Sequence, residues 1–173
     1  MAAYWTSFVA GDILTAAQLN GVVDNFADIA IFNETQASGT EGGTFTSGAW
    51  QKRTLNTTVL NNITGCSIAS SVITLTAGTY YFLGRAPAFN VLGNQTRIQN
   101  TTGGTTVQLG TTMYVSNNNT CIALVEGYVT ISGSTTFELQ HRCGTTVSVN
   151  GFGAAQSFGS GEIYSQLSIR RIA

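Results

Sequence analysis

The most constraining feature of this sequence is a period-two alternation of apolar and polar residues in a series of short segments. The clearest examples are residues 107–115, 121–131 and 135–143. In the last of these, Phe137 and Leu139 alternate with Glu138 and Gln140. Successive side chains of a β-strand point to opposite faces, so this spacing predicts strands that bury one face. Because turns rich in Gly, Asn and Ser separate many such short segments, we expect an all-β sandwich or barrel.

Charge is scarce in this chain. Charged residues make up 9% of the sequence, whereas soluble proteins typically have ~25%. The polar share is carried by Thr, Ser, Asn and Gly, which favour strands and turns. A surface so poor in Lys and Glu is expected to be covered by a partner or packed in an assembly. The net charge is −1, with no basic stripe for a phosphate backbone, so nucleic-acid binding is not expected.

The N-terminal residues, MAAYWTSFVAGD, lack the positive start and apolar run of a secretory signal. No apolar run approaches the ~20 residues that a helix needs to cross a bilayer. We therefore expect no contact with a membrane, and synthesis and assembly in a cytoplasm.

Residues 11–30 follow a different pattern, with apolar residues at three- and four-residue spacing. Thr15 fits the N-cap position, and Gln18 fits the capping box that follows it. The apolar positions are Leu19, Val22, Val23, Phe26, Ile29 and Ala30. This spacing predicts an amphipathic helix of about four turns, which is marginally stable unless its apolar face packs on a partner.

Trp5 and Phe8 add further apolar surface ahead of the predicted helix. Together these residues predict an N-terminal anchoring arm over residues 1–36. Residues 36–48, QASGTEGGTFTSG, predict a flexible break, and the β domain is expected over residues 37–173.

The residues that carry chemistry form no catalytic set in the sequence. His141 is the single histidine, and strand parity turns it inward with Phe137 and Leu139, which favours a packed core histidine over a catalytic triad. Five of the eight carboxylates precede the predicted strands. The three that remain in the β domain are too few to indicate a glycosidase pair. The remaining three are expected to form structural ion pairs with arginines, of which the candidates are Arg85, Arg97 and Arg142.

Cys66, Cys121 and Cys143 are an odd number of cysteines without metal-ligand spacing, so we expect free, half-buried thiols. No cofactor, bound metal or catalytic residue is expected. The single proline, Pro87, is expected at a sheet edge or bulge. Phe152 and Phe158 lie in the glycine-rich run GFGAAQSFGSG and are predicted to form an exposed contact loop.

Several segments, taken together, resemble the trimeric jelly-roll heads of bacteriophage virion proteins, which are similar to the globular heads of the complement and tumour-necrosis-factor type. The segments are Leu75–Phe82, Thr96–Thr102, Phe137–His141 and Glu162–Ile169. The stretch from Trp5 to Asn20 is similar to the N-terminal signature of many phage structural proteins. The resemblance implies an antiparallel jelly-roll sandwich, preceded by a short helical arm, in a homotrimer.

The same resemblance implies a location in the virion and a structural role. The preferred interpretation is a capsid decoration or cement protein that attaches through its arm to the major capsid protein or another virion protein. The alternative is the receptor-binding head of a tail fibre, for which a host surface glycan is a candidate partner. A polysaccharide-degrading enzyme is the least favoured interpretation, because no catalytic set is evident.

Overall fold

The computed structural model describes residues 28–172 and, ahead of them, residues 11, 13, 15 and 16. Residues 28–172 form eleven β-strands. They are β1 (Ile29–Gln36), β2 (Gln51–Lys52), β3 (Thr57–Asn61), β4 (Ser67–Ala69), β5 (Val72–Leu75), β6 (Gly78–Phe89), β7 (Leu92–Asn100), β8 (Thr105–Val115), β9 (Thr120–Ile131), β10 (Thr135–Cys143) and β11 (Glu162–Arg171). Within the described residues, no helix has the length and apolar character needed to cross a membrane.

The strands form two antiparallel sheets packed face to face. The five-stranded sheet, called sheet I here, has the strand order β3-β1-β11-β6-β9. Sheet II has the order β4-β5-β10-β7-β8, and β2 pairs with β10 at its side. Strands β1, β11, β6 and β9 therefore face strands β5, β10, β7 and β8, which is the strand order of a jelly roll. The expected all-β jelly-roll sandwich is confirmed.

The core forms where the alternating faces of the two sheets meet. Phe82 of sheet I and Phe137 of sheet II are fully buried, with their ring centroids 5.3 Å apart at a tilt of 50°. This tilted arrangement is one that aromatic pairs favour. The inward positions predicted for 121–131 and 135–143 are buried or half-buried, as the alternation requires.

The core narrows along β6, where large inward residues give way to small ones. Tyr80 and Phe82 are followed on the same face by Gly84, Ala86 and Ala88. A Cβ atom on Gly84 would lie 2.8 Å from Val125 Cγ1 and 2.9 Å from Leu139 Cδ1, so the two sheets approach closely at this point.

Strand β1 corrects the expected boundary between arm and head. Ile29 and Ala30, assigned above to the helix, lie in β1, which pairs with β11 and β3. Residues 29–36 are thus part of sheet I and not of an arm that ends at residue 36. The apolar run IAIF fits a helix face and a strand equally well, and pairing with two neighbouring strands decides the outcome. The other arm residues, Trp5, Phe8, Leu19, Val22, Val23 and Phe26, lie outside the described residues.

Residues 36–48 are largely exposed but hydrogen-bonded at several points, which corrects the flexible break expected there. Phe45 pairs with Val147 through two backbone hydrogen bonds of 3.0 Å, and its ring is fully buried. Gly42 N donates to Gly153 O at 2.9 Å. The turn-rich composition did not reveal this pairing because its partner lies about a hundred residues further along the chain.

Pro87 lies in β6, a strand with neighbours on both sides, and not at a sheet edge. It pairs with Ile122 of β9. On the other side, the register with β11 ends at Arg85, so the missing N–H of the proline interrupts no ladder there.

Candidate subunit interface

The outward face of sheet I carries apolar side chains that nothing in the described chain covers. On β9, Ile122 is 53% exposed, Leu124 40% and Tyr128 72%. The β6–β9 register places Tyr128 opposite Tyr81 and Leu124 opposite Arg85. Glu126, which accepts a hydrogen bond from the Tyr81 hydroxyl, lies between Leu124 and Tyr128 on this face. Exposed apolar side chains grouped in this way mark interaction surfaces on soluble proteins.

The apolar surface continues around the edge of the sandwich onto β8. Leu109 is 51% exposed and Tyr114 69% exposed. Between them, Thr111 Oγ1 accepts a hydrogen bond from Leu124 N at 3.0 Å and donates to Leu124 O at 3.3 Å. These bonds tie the edge strand of sheet II to the edge strand of sheet I. We call Leu109, Tyr114, Ile122, Leu124 and Tyr128 the apolar edge.

A groove of about 640 Å³ lies on the same outward face of sheet I, beside β1. Ile29 and Ile31 of β1, Tyr81 and Leu83 of β6, and Ile172 supply its apolar lining. Ile29, the arm residue that the structure does describe, therefore lines this groove.

The predicted contact loop is only half exposed. Phe158 is 85% exposed, as a contact residue needs to be. Phe152 instead stacks on Phe45 with ring centroids 4.2 Å apart, and the Arg53 guanidinium lies 4.1 Å from its ring centre. Phe152 is therefore a packing residue, because its ring contacts buried Phe45 and the Arg53 guanidinium.

A buried ion pair that the sequence did not predict lies beneath this loop. Arg53 Nη2 donates to Glu34 Oε2 at 3.1 Å, and both side chains are almost fully buried. Arg53 also donates to the carbonyl oxygens of Pro87 and Phe152, while Ser165 Oγ donates to Glu34 Oε2 at 2.9 Å. Burial lowers the pKa of Arg53 to about 10, against the opposing effect of Glu34. Glu34 was missed because its strand was assigned to the arm.

The ion pairs expected with Arg85, Arg97 and Arg142 are absent from the described residues. The pairs that form there are Arg53–Glu34 and Lys52–Glu138, the second at 3.8 Å. The pairing of β2 with β10 brings Lys52 beside Glu138.

His141 is fully buried on the inward face of β10, which confirms a packed, hydrogen-bonded histidine. Its Nε2 lies 3.1 Å from Asn94 Oδ1, and its ring lies 4.7 Å from that of Phe45. Burial, aided by the positive charge of Arg53, holds the pKa of His141 well below its usual 6.5. All three cysteines are free thiols, with Cys143 buried and the other two half-buried.

Two comparisons with known proteins found nothing: no family model matches the chain, and no curated protein does. Solved structures do match. The globular domain of zebrafish complement 1qA protein is 11% identical, with a TM-score of 0.53 over 84% of this chain and 97% of that one. PRD1 vertex protein P5 is 13% identical, with a TM-score of 0.50 over 84% and 97% of the two chains. At such low identity, these similarities establish the jelly-roll fold alone.

The buried ion pair leads to a prediction about stability. Arg53→Met should lower the free energy of unfolding by about 3–5 kcal/mol, because it leaves the Glu34 carboxylate buried without its cation. Adding Glu34→Gln should restore part of that loss, since a neutral amide costs less to bury. Urea unfolding at pH 7 and fixed protein concentration measures both. Equal losses in the single and double variants would contradict the charge argument.

His141 leads to a prediction about pH. Its pKa is depressed in the folded state, so below about pH 6.5 the unfolded chain binds a proton that the folded one does not. Stability should therefore fall with pH from about 6.5 downward, by at most about 1.4 kcal/mol per pH unit for this group. The control is His141→Gln, which keeps a hydrogen-bonding side chain but cannot titrate. All other titrating groups affect the pH dependence of its stability as they do in the wild type. Urea unfolding across this range should show a shallower decline for the variant, and identical slopes would refute the assignment.

Proposed function

We propose that this chain is a structural protein of a bacteriophage virion, assembled as a homotrimer through the apolar edge and the outward face of sheet I. The exposed apolar edge is the observation that carries the proposal. Burying one large aliphatic or aromatic side chain is worth about 1.5–3 kcal/mol. Three copies of this surface, closed around an axis, therefore offer a substantial stabilisation.

Three further observations support this proposal. The solved structures that share the fold include a phage vertex protein, PRD1 P5. Segments of the sequence resemble trimeric phage heads, as described above. The low content of charged residues also suits a chain whose surface is shared between subunits.

Within the virion, the role we propose is capsid decoration. The N-terminal residues ahead of β1 are the proposed attachment segment, which docks on the major capsid protein or another virion protein. Their apolar residues, Trp5, Phe8, Leu19, Val22, Val23 and Phe26, provide the docking surface in this proposal. No catalysis is proposed: His141 packs against Phe45 and Asn94, and the buried Glu34 carboxylate is paired with Arg53.

The trimer proposal predicts that charge on the apolar edge dissociates the protein. Wild-type full-length chain should sediment as a trimer, and the double variant Ile122→Glu/Leu124→Glu as a monomer with an unchanged β-type circular dichroism spectrum. Carboxylates at these positions would be desolvated without a partner. Phe158→Glu is the control, because it places a carboxylate on an exposed phenylalanine outside the proposed interface. A wild-type monomer, or a double variant that stays trimeric, would sink the proposal.

The attachment proposal predicts that the arm is needed for binding to the particle and is not needed for folding of the β sandwich. Leu19→Ser/Phe26→Ser should leave the sandwich folded but abolish binding to particles that lack the protein, because the apolar contacts are lost. Asn20→Ser/Asn25→Ser, on the predicted polar face, is the control and should bind normally.

Labelled wild-type protein gives the second readout of that experiment. Decoration predicts saturation of the head shell at a copy number comparable to that of the capsid subunits. Saturation confined to the tail would favour the fibre-head alternative instead, and tight binding of Leu19→Ser/Phe26→Ser would show that the helix face is not the anchor.

A further inference from the structure

Sheet II carries a groove on its outward face whose chemistry is opposite to that of the apolar edge. The groove has a volume of about 500 Å³, within the usual range for small-ligand sites. Its side chains include one aromatic ring, Trp50, and one charged group, Arg142, together with Gln95, Thr112 and Ser47. No carboxylate lines it.

Trp50 rests on an ordered support. The Arg97 guanidinium lies 4.4 Å from the centre of the indole ring. Gln140 Oε1 accepts from Arg97 Nε at 2.9 Å and from Arg97 Nη2 at 2.7 Å, and Gln140 Nε2 donates to Glu138 Oε2 at 2.6 Å. A chain of hydrogen bonds along β10 therefore fixes the cation beneath the ring. A ring held in place before binding loses little conformational freedom when a ligand stacks on it.

Arg142 supplies a positive charge that no described residue pairs with. It is exposed on β10, directly opposite Gln95 of β7, and no hydrogen bond or ion pair engages it among the described residues. Gln95 Nε2 donates to Gly110 O at 3.0 Å and to Thr112 Oγ1 at 3.2 Å. These bonds orient the Gln95 amide so that its oxygen remains available to accept from a ligand hydroxyl.

A free guanidinium beside an ordered aromatic ring and neutral polar groups matches a specific ligand chemistry. A pyranose ring offers an apolar C–H face to an indole, hydroxyls to amide and hydroxyl groups, and, in uronic or sialic acids, a carboxylate to arginine. We propose that the groove between Trp50 and Arg142 binds an acidic saccharide, with the sugar ring on the indole and its carboxylate on the guanidinium.

This site goes beyond the proposed trimer and does not depend on it. Trp50 and Arg142 lie outside the apolar edge, and neither Ile122 nor Leu124 lines the groove, although its Thr112 is on β8 between Leu109 and Tyr114 of that edge. The Ile122→Glu/Leu124→Glu variant should therefore bind saccharide as wild type does, whatever its oligomeric state. Failure of one proposal is thus distinguishable from failure of the other.

The test uses the intrinsic fluorescence of the indole. The chain has two tryptophans, so Trp5→Phe in the full-length protein leaves Trp50 as the sole reporter. Oligogalacturonate should change its emission saturably, and the methyl-esterified oligomer, which has the same rings without the charge, should bind at least about tenfold more weakly. Arg142→Gln should weaken binding of the acidic oligomer by a similar factor. Trp50→Ala, followed by calorimetry, should abolish it.

Arg85→Gln is the matched control, because it removes the same charge from an exposed strand position of sheet I and should leave binding unchanged. A glutamate oligopeptide tests whether charge alone suffices. No binding of oligogalacturonate at about 1 mM, equal binding of the glutamate peptide, or wild-type affinity in Arg142→Gln would each overturn the proposal.

Discussion

The whole structure depends on the apolar layer between the two sheets, where Phe82 and Phe137 meet near its centre. Burial of this layer sets the parity of every strand, since a one-residue slip would expose its entire inward face. Once parity is set, each strand also has an outward face that the core does not constrain. Those outward faces carry the apolar edge and the groove at Trp50.

Polar groups enter the interior at one end of the sandwich, where the inward residues of β6 are small. Ala86 and Ala88 leave room on sheet I, and the end cluster around Phe45 packs beside them. Arg53 joins this cluster through its contacts with Phe152 and Glu34. A buried pair of charges is a poor source of stability compared with apolar packing, but it demands one geometry from β1, the segment after β2 and the loop at Phe152. We infer that it aligns these three parts of the chain, which are distant in sequence.

Alternation in the sequence was enough to predict the strands β9 and β10 and the inward position of His141, because period two depends only on neighbouring residues. Strand β8 also forms, but its register with β7 is irregular, and Leu109, which the alternation of 107–115 places on the face of Val107 and Val115, is 51% exposed. Alternation was not enough for β1, whose run IAIF is apolar at every position, so its assignment depended on pairing with β11 and β3. The same limit hid the Arg53–Glu34 pair and the packed role of Phe152, which arise from contacts between remote segments. The groove at Trp50 was missed for a further reason: its residues come from four separate stretches that only the sheet brings together.

The outward faces of the two sheets differ in polarity, and this difference indicates which of them is buried in an assembly. An apolar face such as that of sheet I is costly to leave in water, so it favours association whether or not a ligand is present. On sheet II, the outward residues Glu138, Gln140 and Arg97 are polar and hydrogen-bonded to one another, so this part of the face gains little from burial against another subunit. Only its β8 margin, with Leu109 and Tyr114, belongs to the apolar edge among the described residues. A head that buries sheet I around an axis would leave three copies of the Trp50 groove on its outside. Weak binding at each groove would then add up on a surface with many saccharides, because linked sites bind at a high effective concentration.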